Sequence, residues 1–286
     1  MSGYKNFAVV GAGNIGAPII EEFLNAKSTG AVDKVVVLTR PESASKLDAL
    51  RARGATVVPL DYSSASDVSK ALAGIEVVIS TIGQGAFDLQ LHIAEAAKSA
   101  GVQLFLPSEF GSPTDTATEG IFAAKAALNR KIREQVGLPT AVVFPGGFAD
   151  WLWVPFIGLD VKSGSVAVGG DGNAKLSFTS RPDIGRYLAY VLTTLPPAET
   201  KNRTFRIEGE RASFNEIFTA YEKKHGVKLQ VKYSSVEELE EKVRANPHDV
   251  ASFLHLAWAQ GQGSVGSPLD NDAFPGWNPR PVIHYL

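Results

Sequence analysis

Three glycines, Gly11, Gly13 and Gly16, follow the apolar run Phe7-Ala8-Val9-Val10 and open a segment patterned as an amphipathic helix up to Leu24. G-x-G-x-x-G between a strand and a helix suits the pyrophosphate of a dinucleotide. One glycine makes the tight turn, the next lets the backbone approach the phosphates, and the third lets helix and strand pack closely. Asn14, Ile15 and Gly16 then offer backbone N–H groups at the helix start, where an anion is favoured. The alternative is a plain strand–turn–helix, but the context the motif requires is present on both sides. The next apolar run, Lys34-Val35-Val36-Val37-Leu38, ends at Thr39-Arg40. An NAD site expects a carboxylate there to bond the ribose 2′-OH. A guanidinium instead grips a 2′-phosphate through charge-assisted bonds, so Arg40, with Lys46 as a second charge, points to NADPH. The competing account is that Arg40 merely sits on the surface before Pro41.

A lysine supplies the acid–base chemistry. At 100° per residue, Ile121, Leu128, Ile132 and Val136 make one apolar stripe about 80° wide, and Lys125 falls inside it. A lysine on a packed face needs a partner or a cavity. Desolvation lowers its pKa and suits it to proton transfer. Alternatively it snorkels past the stripe to solvent.

The elements that would position these groups alternate regularly. Helical patterns near 43–53, 65–73, 87–100 and 119–136 separate short apolar runs at 56–58, 76–80, 103–106 and 140–144. Such a βαβ series predicts an α/β fold with a doubly wound parallel sheet. Ligands bind such sheets outside the carboxyl ends of the strands. The loops to watch are therefore 11–16, 39–40, 80–85, 107–111 and 145–148. We expect a dinucleotide-binding domain over 1–148 and a smaller α/β lobe over 149–286, with 182–207 returning to the main sheet. Gly169-Gly170-Asp171-Gly172-Asn173 reads as a hairpin turn. Ser213 with Glu216, and Ser235 with Glu238, carry the capping signature of helix starts.

Composition narrows the classes. The chain has 286 residues, a formal net charge of −2 and no cysteine. Thiolate chemistry is excluded, and a basic nucleic-acid groove or a membrane-surface helix is not expected. The five histidines show no metal-ligand spacing, so no metal is expected. No segment reaches the ~18 apolar residues of a membrane span. Because residues 1–6 run directly into the first strand, no signal peptide and a cytoplasmic location are expected.

The segment Phe105-Leu106-Pro107-Ser108-Glu109-Phe110-Gly111, with Lys125 inside Ile121-Phe122-Ala123-Ala124-Lys125, resembles the isoflavone reductase and phenylcoumaran benzylic ether reductase group. These are atypical short-chain dehydrogenases and cousins of NmrA-like proteins. Gly170-Asp171-Gly172-Asn173-Ala174 and Asp183-Ile184-Gly185 match the same group, and the likeness runs from residue 6 to about 260. The resemblance implies an NADP-binding Rossmann domain with a substrate lobe, in a monomer or homodimer. It also implies an oxidoreductase acting on a small aromatic or phenolic molecule, isoflavonoid- or phenylpropanoid-like, with the lysine as general base; we expect Lys125 to serve as general acid–base residue and to hydrogen-bond the nicotinamide ribose. Thr81, Ile82 and Gly83 would line the cofactor path, and Pro107, Ser108 and Phe148 would sit near the nicotinamide. Phe87, Trp151 and Trp153 are candidate walls for the aromatic substrate, each also suited to plain core. Two departures stand out: Val10 and Ala12 replace the first Gly and the Thr of the group's G-x-T-G-x-x-G, and the tail around Trp277-Asn278-Pro279-Arg280 is unlike the plant reductases. The tyrosine that ordinary short-chain dehydrogenases place four residues before the lysine is Ile121 here. The rival reading is an NmrA-like redox sensor that binds NADP(H) and signals through a protein partner without turnover.

Overall fold

The computed structural model describes residues 3–83 and 86–286; Met1, Ser2, Gln84 and Gly85, the last at the end of the 80–85 loop, lie outside the described residues. The chain forms two compact units. One comprises Met1–Phe110, Thr114–Val143 and Ile184–Phe205, the other Gly111–Pro113, Phe144–Asp183 and Arg206–Leu286.

The first unit begins β1 (Asn6–Val10), α1 (Gly16–Ser28), β2 (Lys34–Thr39), a 3-10 stretch (Pro41–Leu47), α2 (Asp48–Ala52) and β3 (Thr56–Pro59). It continues α3 (Ala65–Ala71), β4 (Val77–Ser80), α4 (Phe87–Ser99), β5 (Leu104–Leu106) and α5 (Gly120–Lys131), whose end relaxes into a π turn at Ile132–Val136. The five strands pair in the order β3-β2-β1-β4-β5, all in parallel. Val35, Val36, Val37 and Leu38 of β2 are all buried, as are Val77–Ser80 of β4, which is why both read as nearly continuous apolar runs.

Alternation along the strands separates two cores. Ala8, Val10, Val36, Leu38, Val78 and Phe105 pack with Val68 and Leu72 of α3, Ile93 and Ala97 of α4, and Leu128 of α5. On the other face the Phe7 ring lies 4.4 Å from the ring of Phe23 on α1. Each such side chain, once fully buried, contributes about 1.5–3 kcal/mol.

β6 (Ala141–Phe144) follows, and a single parallel bridge, Phe105 to Thr140, links its approach to β5. In the second unit come β7 (Gly147–Phe148), β8 (Ser165–Gly169) and β9 (Leu176–Thr179). α6 (Arg181–Thr194), α7 (Pro197–Thr200) and β10 (Arg203–Arg206) follow, and from Ile184 to Phe205 the chain belongs again to the first unit. β10 pairs with β6, and α6 lies against α1, where a Cβ on Gly185 would come within 2.8 Å of the Pro18 carbonyl oxygen. Glycine is what permits that approach.

The second unit is completed by β11 (Glu210–Ala212), α8 (Phe214–His225), β12 (Gln230–Ser234), α9 (Val236–Ala245) and α10 (Val250–Ala259). Its core is built on Phe178, Phe214 and Trp258. Ser213 and Glu216 make a full capping box at α8, and the Ser235 hydroxyl accepts the Glu238 N–H at α9.

The turn at residues 169–173 corrects the hairpin expectation. β8 and β9 do not pair with each other: β8 pairs in parallel with β12, and β9 sits between β11 and β7. Gly170 and Gly172 take positive φ, and the Asp171 carboxylate accepts the Asn173 N–H, so the chain turns between two separate sheets. Turn chemistry announces a reversal and does not say which strand will be the partner.

Candidate active site

The order of the five-stranded sheet reverses between β1 and β4, so their carboxyl ends splay into the crevice where such sheets take ligands. The glycine loop lies there. Gly11 adopts φ +93°, a conformation L side chains rarely take. Gly16 is required for a different reason: a Cβ there would fall 2.4 Å from the Gly11 carbonyl oxygen and 2.5 Å from Thr81 Oγ1. Gly13 has neither need. Its φ is not positive, and a Cβ there would meet nothing within 4 Å. No contact among the described residues accounts for a glycine at this position, and the space beside it is open.

Ile15 stands at the N-cap of the 13-residue α1. The positive end of the helix carries neither a side-chain cap at Ile15 nor an acid in its first turn. Gly13 and Asn14 are exposed, while Ile15 is buried and anchors the loop. Thr81 lies against this turn, its Oγ1 3.0 Å from the carbonyl oxygens of both Val10 and Gly11. Ile82 and Phe87 are each half-buried against the same core, and Gly83 is exposed.

Arg40 begins the 3-10 stretch after β2. Its side chain is 69% exposed and its Nε lies 3.2 Å from Glu42 Oε1. An ion pair this exposed is worth about 0–1 kcal/mol, so it would not hold the guanidinium against a phosphate dianion. Lys46, in the last turn of the same stretch, is exposed. Beneath them the Tyr62 hydroxyl donates to the Leu38 carbonyl at 2.9 Å; burial pushes its pKa up to about 12, so it stays a donor. Arg40→Ala is expected to lower the preference for NADPH over NADH by at least about tenfold, ~1.4 kcal/mol, with NADH affinity unchanged. Fluorescence titration of both cofactors measures it, and equal losses for both would remove the 2′-phosphate role.

A second group of residues extends from β4 to α5. The Gln90 side chain on α4 is buried, and its Oε1 accepts both the Ser80 hydroxyl at 2.9 Å and the Ser108 N–H at 3.0 Å. That one amide ties the end of β4 to the loop after β5. Pro107 is buried and Ser108 half-buried, and Glu109, 2% exposed, turns inward. The Thr114 hydroxyl donates to Glu109 Oε1 at 3.0 Å. Glu109 Oε2 has no hydrogen-bond partner and lies 4.0 Å from Lys125 Nζ.

Lys125 does lie on the packed side of α5, with its side chain 20% exposed, while Leu128 and Ile132 on the stripe are buried. Burial pushes the Lys125 amine below the usual lysine range, opposed by the charge of Glu109. Burial pushes the Glu109 carboxyl up, opposed by Lys125 and by the Thr114 hydrogen bond. Each group's desolvation favours its uncharged form, and each group's charge favours the charged form of the other. A pair balanced in this way is suited to moving a proton.

Gln90, Glu109 and Thr114 are not among the candidate residues that the sequence singles out. Glu109 carried a signal, an acid between Ser108 and a buried aromatic in a loop after a strand. Gln90 and Thr114 carried none, because a side-chain amide or hydroxyl acquires its partner only through folding.

The remaining aromatic candidates belong to the second unit. Phe148 lies on β7 half-buried, its ring 6.5 Å edge-on from that of Trp151, which is 40% exposed. The Trp153 ring stacks 6.3 Å from Phe178, and its Nε1 donates to the Ala149 carbonyl at 2.8 Å. Trp153 is thus engaged in core packing, and Trp151 keeps an open face.

Comparison with known proteins places this geometry. The isoflavone reductase homolog A622 of Nicotiana tabacum is 33% identical over 267 residues, covering 88% of this chain and 84% of that protein. Leucoanthocyanidin reductase of Vitis vinifera, solved as a binary complex with NADPH, superposes with a TM-score of 0.83 at 23% identity, covering 97% of each chain. AtPrR2, solved with NADP+ and (+)-pinoresinol, gives 0.81 at 22% identity, covering 99% of this chain and 98% of that one. These structural likenesses show a shared fold. With residues 4–271 matching the model of the NmrA-like family, the chain belongs to that family.

Proposed function

We propose that the chain is an NADPH-dependent reductase of a small aromatic substrate of the phenylpropanoid class, with Lys125 as its acid–base residue. The observation that carries this reading is the half-buried Lys125 amine beside Glu109, in the same unit as a glycine loop in which the space around Gly13 is open to an approaching phosphate. The residues fit the cofactor. The α1 N-terminus and Gly13 would hold the pyrophosphate, and Arg40 with Lys46 the 2′-phosphate. Reduced nicotinamide supplies a hydride when bound; the protein supplies orientation, exclusion of water and the proton. The relatives' names support the substrate class, since they include an isoflavone reductase homolog and a structure solved with pinoresinol.

The test uses (+)-pinoresinol and an isoflavone as probes with NADPH, following loss of the reduced nicotinamide signal and the mass of the product. Turnover giving a product two hydrogens heavier supports the reading. Tight NADPH binding with no consumption on a broad aromatic panel would favour the redox-sensor reading, in which a half-buried lysine has no task.

A further inference from the structure

Glu109 is a carboxylate in an unusual position. It is 2% exposed, it follows directly on the buried Pro107 and the half-buried Ser108, and one of its oxygens has no donor. A buried carboxylate oxygen without a hydrogen bond is costly and persists when a neighbouring charge offsets it. The nearest cation is Lys125, whose Nζ at 4.0 Å is too far for a hydrogen bond and close enough for strong attraction. Thr114 fixes the other oxygen, so the carboxylate cannot rotate freely toward a better partner. Asp115, which follows Thr114, also faces Glu109 and disfavours a negative charge there. Lys125 therefore keeps its N–H groups for whatever binds beside it, while Glu109 supplies charge from behind.

We propose that Glu109 is the positioning residue of Lys125, its carboxylate 4.0 Å behind the amine opposing the neutral form that burial favours, so that the lysine can carry a proton to substrate. This rests on the reading of Lys125 as the acid–base residue. In the step itself an Nζ–H bond breaks as an O–H bond forms on a substrate oxygen. The electron pair stays on nitrogen, leaving a neutral amine beside the Glu109 carboxylate. A proton from solvent then restores the ion pair. The substrate class implied is one whose reduction leaves negative charge on oxygen, a phenolate or alkoxide, near Lys125.

The test needs no substrate, so its failure is distinct from failure of the reductase reading. Trace acetylation with acetic anhydride across pH, read by mass spectrometry of the Lys125 peptide in the cofactor-free chain, reports the neutral fraction of the amine. Removing an opposite charge at this range is expected to lower the Lys125 midpoint by about 1–3 pH units in Glu109→Gln. Thr114→Val, which frees the carboxylate without removing it, is expected to shift the midpoint the same way and by less. It also serves as the test if Glu109→Gln fails to fold, which thermal melting would show. A purely structural role for Glu109 moves melting and leaves the midpoint alone. An unchanged midpoint in the folded variants overturns the proposal.

Discussion

Lys125→Met is expected to lower turnover by at least about a hundredfold while NADPH affinity stays close to that of the unmodified chain. The lower bound follows from what a positioned general acid contributes, typically 10²–10⁴-fold. Methionine keeps the unbranched stem that packs on α5 and removes only the amine. Stopped-flow turnover and cofactor fluorescence separate the two effects, and retained turnover on an identified substrate would remove Lys125 from the chemistry.

The same variant carries a pH signature in stability. Without the lysine, Glu109 loses the charge that opposed its desolvation, and its carboxyl rises further above the ordinary carboxylate range. A group whose folded pKa exceeds its unfolded one binds its proton more tightly when folded. Its contribution is complete below the unfolded pKa and is lost as pH rises through the folded one. Lys125→Met should therefore melt closer to the unmodified chain in mild acid and fall behind it toward neutral pH. Melting curves that keep a constant gap across pH would count against an ion pair between these residues.

Two glycines of one motif should respond in opposite ways. Gly16→Ala places a methyl 2.4 Å from the Gly11 carbonyl oxygen and 2.5 Å from Thr81 Oγ1. Neither neighbour is the far end of a flexible side chain, so β1, α1 and the loop after β4 must move apart. Overpacking of this kind costs about 1–3 kcal/mol or more, and chemical denaturation should show it without any cofactor. Gly13→Ala meets nothing within 4 Å, so stability should stay within about 0.5 kcal/mol while NADPH affinity falls at least about tenfold. Loss of binding without loss of stability is the mark of a residue kept for a ligand. If Gly13→Ala binds NADPH normally, the loop does not cradle the pyrophosphate as we describe.

Much of this organisation was readable before folding because it depends on local periodicity. The continuous apolar runs of β2 and β4 mark strands buried on both faces, and the stripe through Leu128 and Ile132 marks the packed side of α5. The capping pair Ser213 and Glu216 announced α8 at its first residue. Local signals stopped at pairing. Gly170 and Gly172 promised a turn, but the partner of β8 is β12, more than sixty residues later, and a hairpin was the wrong outcome. The motif itself gives its third glycine to close packing, and the Gly11 carbonyl oxygen and Thr81 Oγ1 crowd Gly16 accordingly, while a Cβ on Gly13 would meet nothing within 4 Å.

What the amino-acid sequence determined alone was the list of chemical parts: a glycine turn between a strand and a helix, an arginine where an NAD site would carry an acid, and a lysine on an apolar stripe. Periodicity and residue type decide those, since both act within a few residues. The tertiary structure decided what the lysine faces. Glu109 lies in a loop after β5 and Lys125 on α5, sixteen residues on. Neither the 4.0 Å between them nor the buried oxygen without a donor exists until β5 and α5 pack on one sheet. Desolvation and charge pairing are properties of that packed environment, and they act on the Lys125 amine in opposite directions.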